Sequence, residues 1–157
     1  MMSQAEELRY LILGAQREGN RIFSDALRPY GLTPAQAEAL HVIAERGPLA
    51  LLDLGRLLIC ESGSPSRLVD GLVRAGLVKR LDDPVDRRRV TLSLTPAGRK
   101  AASNVADAET ELYDLLNAVI PPRKLPATLD VLRLLVAGRP AGNALELRSI
   151  TAPKATS

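Results

Sequence analysis

The chain has one cysteine and one histidine in 157 residues. A single thiol excludes an intramolecular disulfide framework. One thiol with one imidazole is also too few for a zinc site of the usual ligands, so no metal is expected. The amino terminus, MMSQAEELRYLILGAQREGN, has acids at positions 6 and 7 and further charges every few residues. It is neither a signal peptide nor a membrane span, so a cytoplasmic protein without a membrane partner is expected. A nucleotide-binding glycine loop is missing, as is a hydrolase nucleophile in a recognisable motif. Any Ser-His-Asp arrangement would have to rely on His41 alone. Neither an enzyme nor a cofactor is expected.

What is present is a local concentration of positive charge. The whole chain is only mildly basic, with 21 basic against 18 acidic residues and a formal charge of +3. From Ser62 to Lys100, nine basic residues face four acids, a net +5 that leaves −2 on the rest of the chain. A basic surface on a near-neutral body fits phosphate contact at one site better than general stickiness.

Periodicity places that segment in a mainly α chain with a small β-hairpin. Leu8, Leu11, Ile12, Ala15, Ile22 and Ala26 recur at helical spacing and predict a long helix over about residues 3–28, broken by Pro29-Tyr30-Gly31. Thr33-Pro34 caps a second helix that ends at Gly47-Pro48. A short helix follows at about 51–59, then a third helix from Ser62 or Ser64 to Ala75, with Gly76 placed for the left-handed residue beyond its end. From Leu77 the period becomes two and resumes at Val90–Leu94, which predicts two strands around an extended polar loop, DDPVDRRR. Thr95-Pro96 opens another long helix, stopped by Pro121-Pro122, and a final helix spans about 123–136. Residues 138–157 hold two glycines and two prolines with no sustained period, so a flexible tail is expected.

The order is a helix-turn-helix followed by a basic wing. On the third helix Leu68, Val69, Leu72 and Val73 form a buried stripe, with Arg67, Asp70, Gly71 and Arg74 on the other side. Ser64, Pro65, Ser66 and Arg67 stand at its amino end, where free backbone amides favour a phosphate and Arg67 can reach a phosphate or a guanine edge. In the wing, Asp86 can pair with a neighbouring arginine and fix the loop, leaving another of Arg87, Arg88 and Arg89 to project into a narrow minor groove. Double-stranded DNA is the expected partner. The alternative is a winged-helix protein-interaction module that offers the same basic surface to an acidic partner.

From Leu32 to Lys100 the chain resembles the MarR family of winged-helix transcription regulators. The likeness rests on LTPAQAEALHVIAERGPL, GSPSRLVDGLVRAGLVKR and DPVDRRRVTLSLTPAGR, and flanking helices extend it over about residues 5–137. The resemblance implies one domain over 1–137. In it a DNA-binding lobe at about 33–98 is flanked by dimerisation helices at about 3–30 and 96–137. It further implies a homodimer, here expected to be a repressor on a palindromic operator released by a small aromatic effector. Ser64–Arg67 map to the reading end of the recognition helix, Arg88 to the minor-groove arginine and Asp86 to its structural partner. Gly71 departs from the family, which often carries a larger basic residue there. Many relatives bind effectors in a cleft beside the second helix, which Phe23, Tyr30 and His41 are candidates to line. Cys60, in the apolar run Leu57-Leu58-Ile59, is expected to be buried packing.

Overall fold

In the computed structural model, which describes residues 1–60 and 63–150, the first two helices start at the residue chemistry that favours them. Helix α1 (Gln4–Leu27) begins after Ser3, whose hydroxyl accepts the Glu6 amide at 3.2 Å. Helix α2 (Pro34–Arg46) begins with a reciprocal pair: Thr33 Oγ1 accepts the Gln36 amide at 3.2 Å, and Gln36 Oε1 accepts the Thr33 amide at 3.0 Å. Both satisfy donors that a helix start leaves without partners.

Strand β1 (Leu49–Ala50), helix α3 (Leu51–Leu57), helix α4 (Pro65–Arg74) and strands β2 (Val78–Asp82) and β3 (Val90–Leu94) complete the lobe. The sheet is antiparallel in the order β1-β3-β2, with Leu49 opposite Leu92 and Val78 opposite Leu94. The expected hairpin thus gains a two-residue third strand. Its core gathers Leu40, Ile43, Leu54, Val69, Leu72, Val78 and Leu92 around α2. Each such side chain withdrawn from water contributes about 1.5–3 kcal/mol.

Helix α5 (Pro96–Val119) is joined to the lobe at its first turn. Thr95 Oγ1 accepts the Gly98 amide at 3.0 Å and donates to the Gly76 carbonyl at 2.6 Å. Gly98 lies so close to Leu77 that a Cβ would fall 1.9 Å from the Leu77 carbonyl oxygen. The Leu-Thr-x-x-Gly phrase after the wing therefore marks a seam that admits no side chain. Gly76 adopts φ +73°, as expected beyond α4.

Helix α6 (Leu125–Val136) follows and buries none of its residues. It leaves Leu129, Val131, Leu132, Leu134 and Leu135 exposed, as are Leu8, Leu11, Ile12 and Leu13 on α1 and Tyr113, Leu115, Leu116 and Val119 on α5. The expectation of a loose tail from residue 138 is corrected: Pro140–Ser149 form helix α7, packed on α3 and α6. Its buried residues are Gly142 and Ala144, too small to give the sequence an apolar stripe. Residues 151–157 of that tail lie outside the described residues. Among the described residues no helix is long and apolar enough to cross a membrane, and no group of three potential ligands could hold a metal.

Candidate nucleic-acid interface

Helix α4 is held from one side only. Val69 and Leu72 are 0% exposed, and Leu68 and Val73 pack partly buried against the same core. The opposite side presents Ser66, Arg67, Asp70 and Arg74 to solvent. Pro65 occupies the first helical position, and its ring sits against Gly55 of α3, where an added Cβ would lie 3.4 Å from Pro65 Cγ. The Arg67 and Leu68 amides bond to the Ser64 carbonyl at 3.0 and 3.2 Å. The Ser64 hydroxyl itself makes no capping bond. Ser64, Ser66 and Arg67 all stand exposed at the helix start, with Pro65 half-buried between them.

Gly71 is not on the open face. It is half-buried, and an added Cβ would meet only the Gln36 side-chain nitrogen, at 3.9 Å. A link the sequence did not reveal joins α4 to the wing: Asp70 pairs with Arg80 of β2. Exposed pairs of this kind contribute little stability. This one links helix and hairpin directly.

The wing is ordered by carboxylates acting on its own backbone. Asp83 Oδ1 accepts the amides of Val85 at 2.8 Å and Asp86 at 3.2 Å, and Asp86 Oδ1 accepts the Arg88 amide at 3.0 Å. The Arg89 amide bonds to the Asp86 carbonyl at 2.8 Å, and the Asp83 amide to the Arg89 carbonyl at 3.0 Å, closing the loop. The two amides on Asp83 hold its carboxyl below the ordinary aspartate range. The expected pairing of Asp86 with an arginine side chain is corrected: it binds backbone, because two residues is the reach of an Asx turn. Asp83, which the sequence reading missed as an organiser, shares that work, and the Asp-Pro-x-Asp spacing was the signal that could have found it. Arg87, Arg88 and Arg89 are exposed, and among the described residues none is in an ion pair.

The three candidate effector residues differ in their settings. His41 is engaged on both ring nitrogens, Nδ1 by Glu109 at 2.9 Å and Nε2 by Glu45 at 3.3 Å. The Glu109 hydrogen bond raises its pKa against the opposing effect of burial. Phe23 packs against the core, and Tyr30 is exposed. A cavity of about 450 Å³ lies instead between α2, β3 and α5, lined by residues including Ile43, Ala44, Ser93, Leu94 and Arg99. Cys60 is exposed rather than buried packing, because α3 ends before it and its amide turns to Glu38. Desolvation and the neighbouring Glu38 push its thiol up to about 11.

Against known proteins, a winged helix DNA-binding domain profile matches residues 32–98, the lobe with its wing. The chain is 31% identical over 110 residues to the HTH-type transcriptional regulator FarR of Neisseria gonorrhoeae, covering 70% of this chain and 75% of that protein. To the multiple antibiotic resistance protein MarR of Escherichia coli it is 32% identical over 88 residues, 56% of this chain and 61% of MarR. The crystal structure of a cysteine-to-serine mutant of E. coli MarR complexed with operator DNA superposes with a TM-score of 0.72 at 27% identity, over 83% of this chain and 94% of that one. A probable transcriptional regulator from Pseudomonas aeruginosa gives 0.74 at 28%, over 85% and 99%. Lobe, wing and flanking helices are thus shared almost end to end with these regulators, and the chain belongs to the MarR family of winged-helix transcription regulators.

Proposed function

We propose that the protein is a sequence-specific DNA-binding repressor that acts as a homodimer on a palindromic operator. The observation that carries the reading is the fixed pairing of two reading elements. An exposed Ser66-Arg67 edge on α4 is tied through Asp70–Arg80 to a hairpin whose three arginines project into solvent. Ser64, Pro65, Ser66 and Arg67 take the major groove, with short side chains and backbone amides on phosphate and Arg67 on a base edge. Arg88, flanked by Arg87 and Arg89, takes the adjoining minor groove, where negative potential is concentrated.

The apolar faces that α1, α5 and α6 leave exposed support the homodimer. Buried against a second copy, they form a two-fold body that matches a palindrome. The relative crystallised on operator DNA supports this use of the fold. Release by a small aromatic effector completes the reading, and the cavity between α2 and α5 is the volume suited to take it.

The test is retardation of a palindromic fragment from upstream of the chain's own gene, at fixed moderate salt, beside a scrambled fragment. Sedimentation equilibrium should give twice the 16.9 kDa chain mass. A monomer bound to DNA overturns the dimer. Equal affinity for the two fragments overturns sequence specificity, and no binding to either favours the protein-interaction alternative.

A further inference from the structure

Glu38 is the one charged residue among the described residues of the core, at 8% exposure. A carboxylate taken that far from water must be met by donors or a cation. It is met by both, from opposite directions. Its Oε1 accepts the Ile59 amide at 2.8 Å and its Oε2 the Cys60 amide at 2.8 Å, so it holds the two residues that lead out of α3 toward α4. Arg148, near the end of α7, closes on Oε1 at 3.1 Å. That end of α7 is itself anchored to α2, since Arg46 donates to the carbonyls of Leu147 at 2.8 Å and Arg148 at 3.0 Å. At its other end, α7 turns back so tightly from α6 that a Cβ on Gly142 would fall 2.1 Å from the Val136 carbonyl oxygen.

The arrangement is a relay of fixed parts. The dimerisation helices lead into α7, α7 presents a guanidinium, the guanidinium meets a buried carboxylate, and the carboxylate holds the backbone at Ile59 and Cys60, ahead of α4. We infer that Arg148 is a positioning residue for DNA recognition. It keeps Glu38 aimed at the Ile59 and Cys60 amides, and thereby sets where α4 begins. This inference rests on α4 being the reading helix. Without Arg148 the carboxylate keeps its burial but loses its cation, and its rotation toward solvent then releases one or both amides.

The test uses the full chain as wild type, Arg148→Ala, Arg148→Lys, Glu38→Gln and the Arg148→Ala/Glu38→Gln double variant. Amide exchange is followed at Ile59 and Cys60 by NMR, and affinity is measured for operator and scrambled DNA at one salt concentration. In Arg148→Ala the two amides should exchange about tenfold faster while the middle of α2 stays protected, and operator affinity should fall about tenfold with scrambled DNA within about twofold. Arg148→Lys keeps the charge and should fold, with smaller effects on both readouts. If Arg148 works through Glu38, removing it in the Glu38→Gln background should change operator affinity no further. Unchanged exchange in both Arg148 variants overturns the relay, as do additive losses in the double variant. Should the wild type bind no DNA, the reading of α4 fails, but exchange at Ile59 and Cys60 still decides whether the relay exists.

Discussion

Helix α4 and the wing, the two proposed reading elements, are held in place by different physics. Helix α4 is fixed by burial, with Val69 and Leu72 wholly enclosed and only its outer edge free. The wing loop has almost nothing buried: residues 84–89 are all exposed, and Val85 at the tip is 94% exposed. Its shape comes from two aspartates that collect three backbone amides. A part anchored by packing keeps its side chains in register with base edges. A part shaped by its own short-range hydrogen bonds is better suited to follow a groove. Base discrimination is therefore expected from α4, and shape-dependent electrostatic affinity from the wing.

The largest effect that separates the two should come from Leu72→Ala. It deletes a fully buried side chain and should cost about 2–5 kcal/mol of stability, read as a lower midpoint in urea. An alanine at Arg88, which touches no core, should leave that midpoint unchanged. Next is Arg67→Ala, expected to cost roughly 1–3 kcal/mol on the operator, to relax preference at one position per half-site, and to cost less on random DNA. An equal loss on both DNAs reassigns Arg67 to the phosphate backbone.

Arg88→Ala should weaken binding to operator and random DNA alike, and the slope of log affinity against log salt should fall by about one for each phosphate that Arg88 neutralises. Asp83→Ala and Asp86→Ala should also weaken binding although each removes a negative charge. Tighter binding by either variant means that charge counting governs the wing.

Gly71→Ala should raise stability by about 0.5–1 kcal/mol, since α4 gains a better helix former and the added methyl meets only Gln36. A loss of operator affinity without a loss of stability would place the DNA backbone against Gly71 after all.

The smallest effect concerns acid. The Asp83 carboxyl is held below its ordinary value of 3.8 by the Val85 and Asp86 amides. Its contribution to wing order is thus present above pH 3.8 and lost as pH falls through the lower folded value. The Val85 and Asp86 amide resonances should titrate with a midpoint below 3.8, and a midpoint at 3.8 removes Asp83 from the loop's support.

The legible parts of the fold were those with local causes. Thr33-Pro34, Pro65, Gly76 and Thr95-Pro96 act within a few residues of themselves, so the helices and both wing strands lie close to where the sequence puts them. Strand β1 has only two residues, too few for an alternation to register. Helix α7 starts at Pro140, after Arg139 without a side-chain cap, and packs through small residues, so neither end nor face announces it. Asp70–Arg80 and Glu38–Arg148 join residues 10 and 110 positions apart, and nothing in the spacing of charges says which will meet. Cys60 reads as core because its neighbours are apolar, but the helix that would have turned it inward has already ended at Leu57.

The seam between Gly98 and Leu77 has a mechanical consequence. With no side chain between them, the first turn of α5 and the turn after α4 move as one piece. Helix α5 has 24 residues, a rod of about 36 Å whose far end carries Tyr113, Leu115 and Leu116. A tilt of about 5° at that end sweeps the other by about 3 Å, close to the roughly 3.4 Å rise of one base pair. In a two-fold dimer the rods tilt in opposite senses, so a small change of angle between subunits shifts the separation of the two α4 helices by more than a base-pair step. In the proposed homodimer, operator half-sites would be measured by a pair of calipers whose hinge lies far from the DNA.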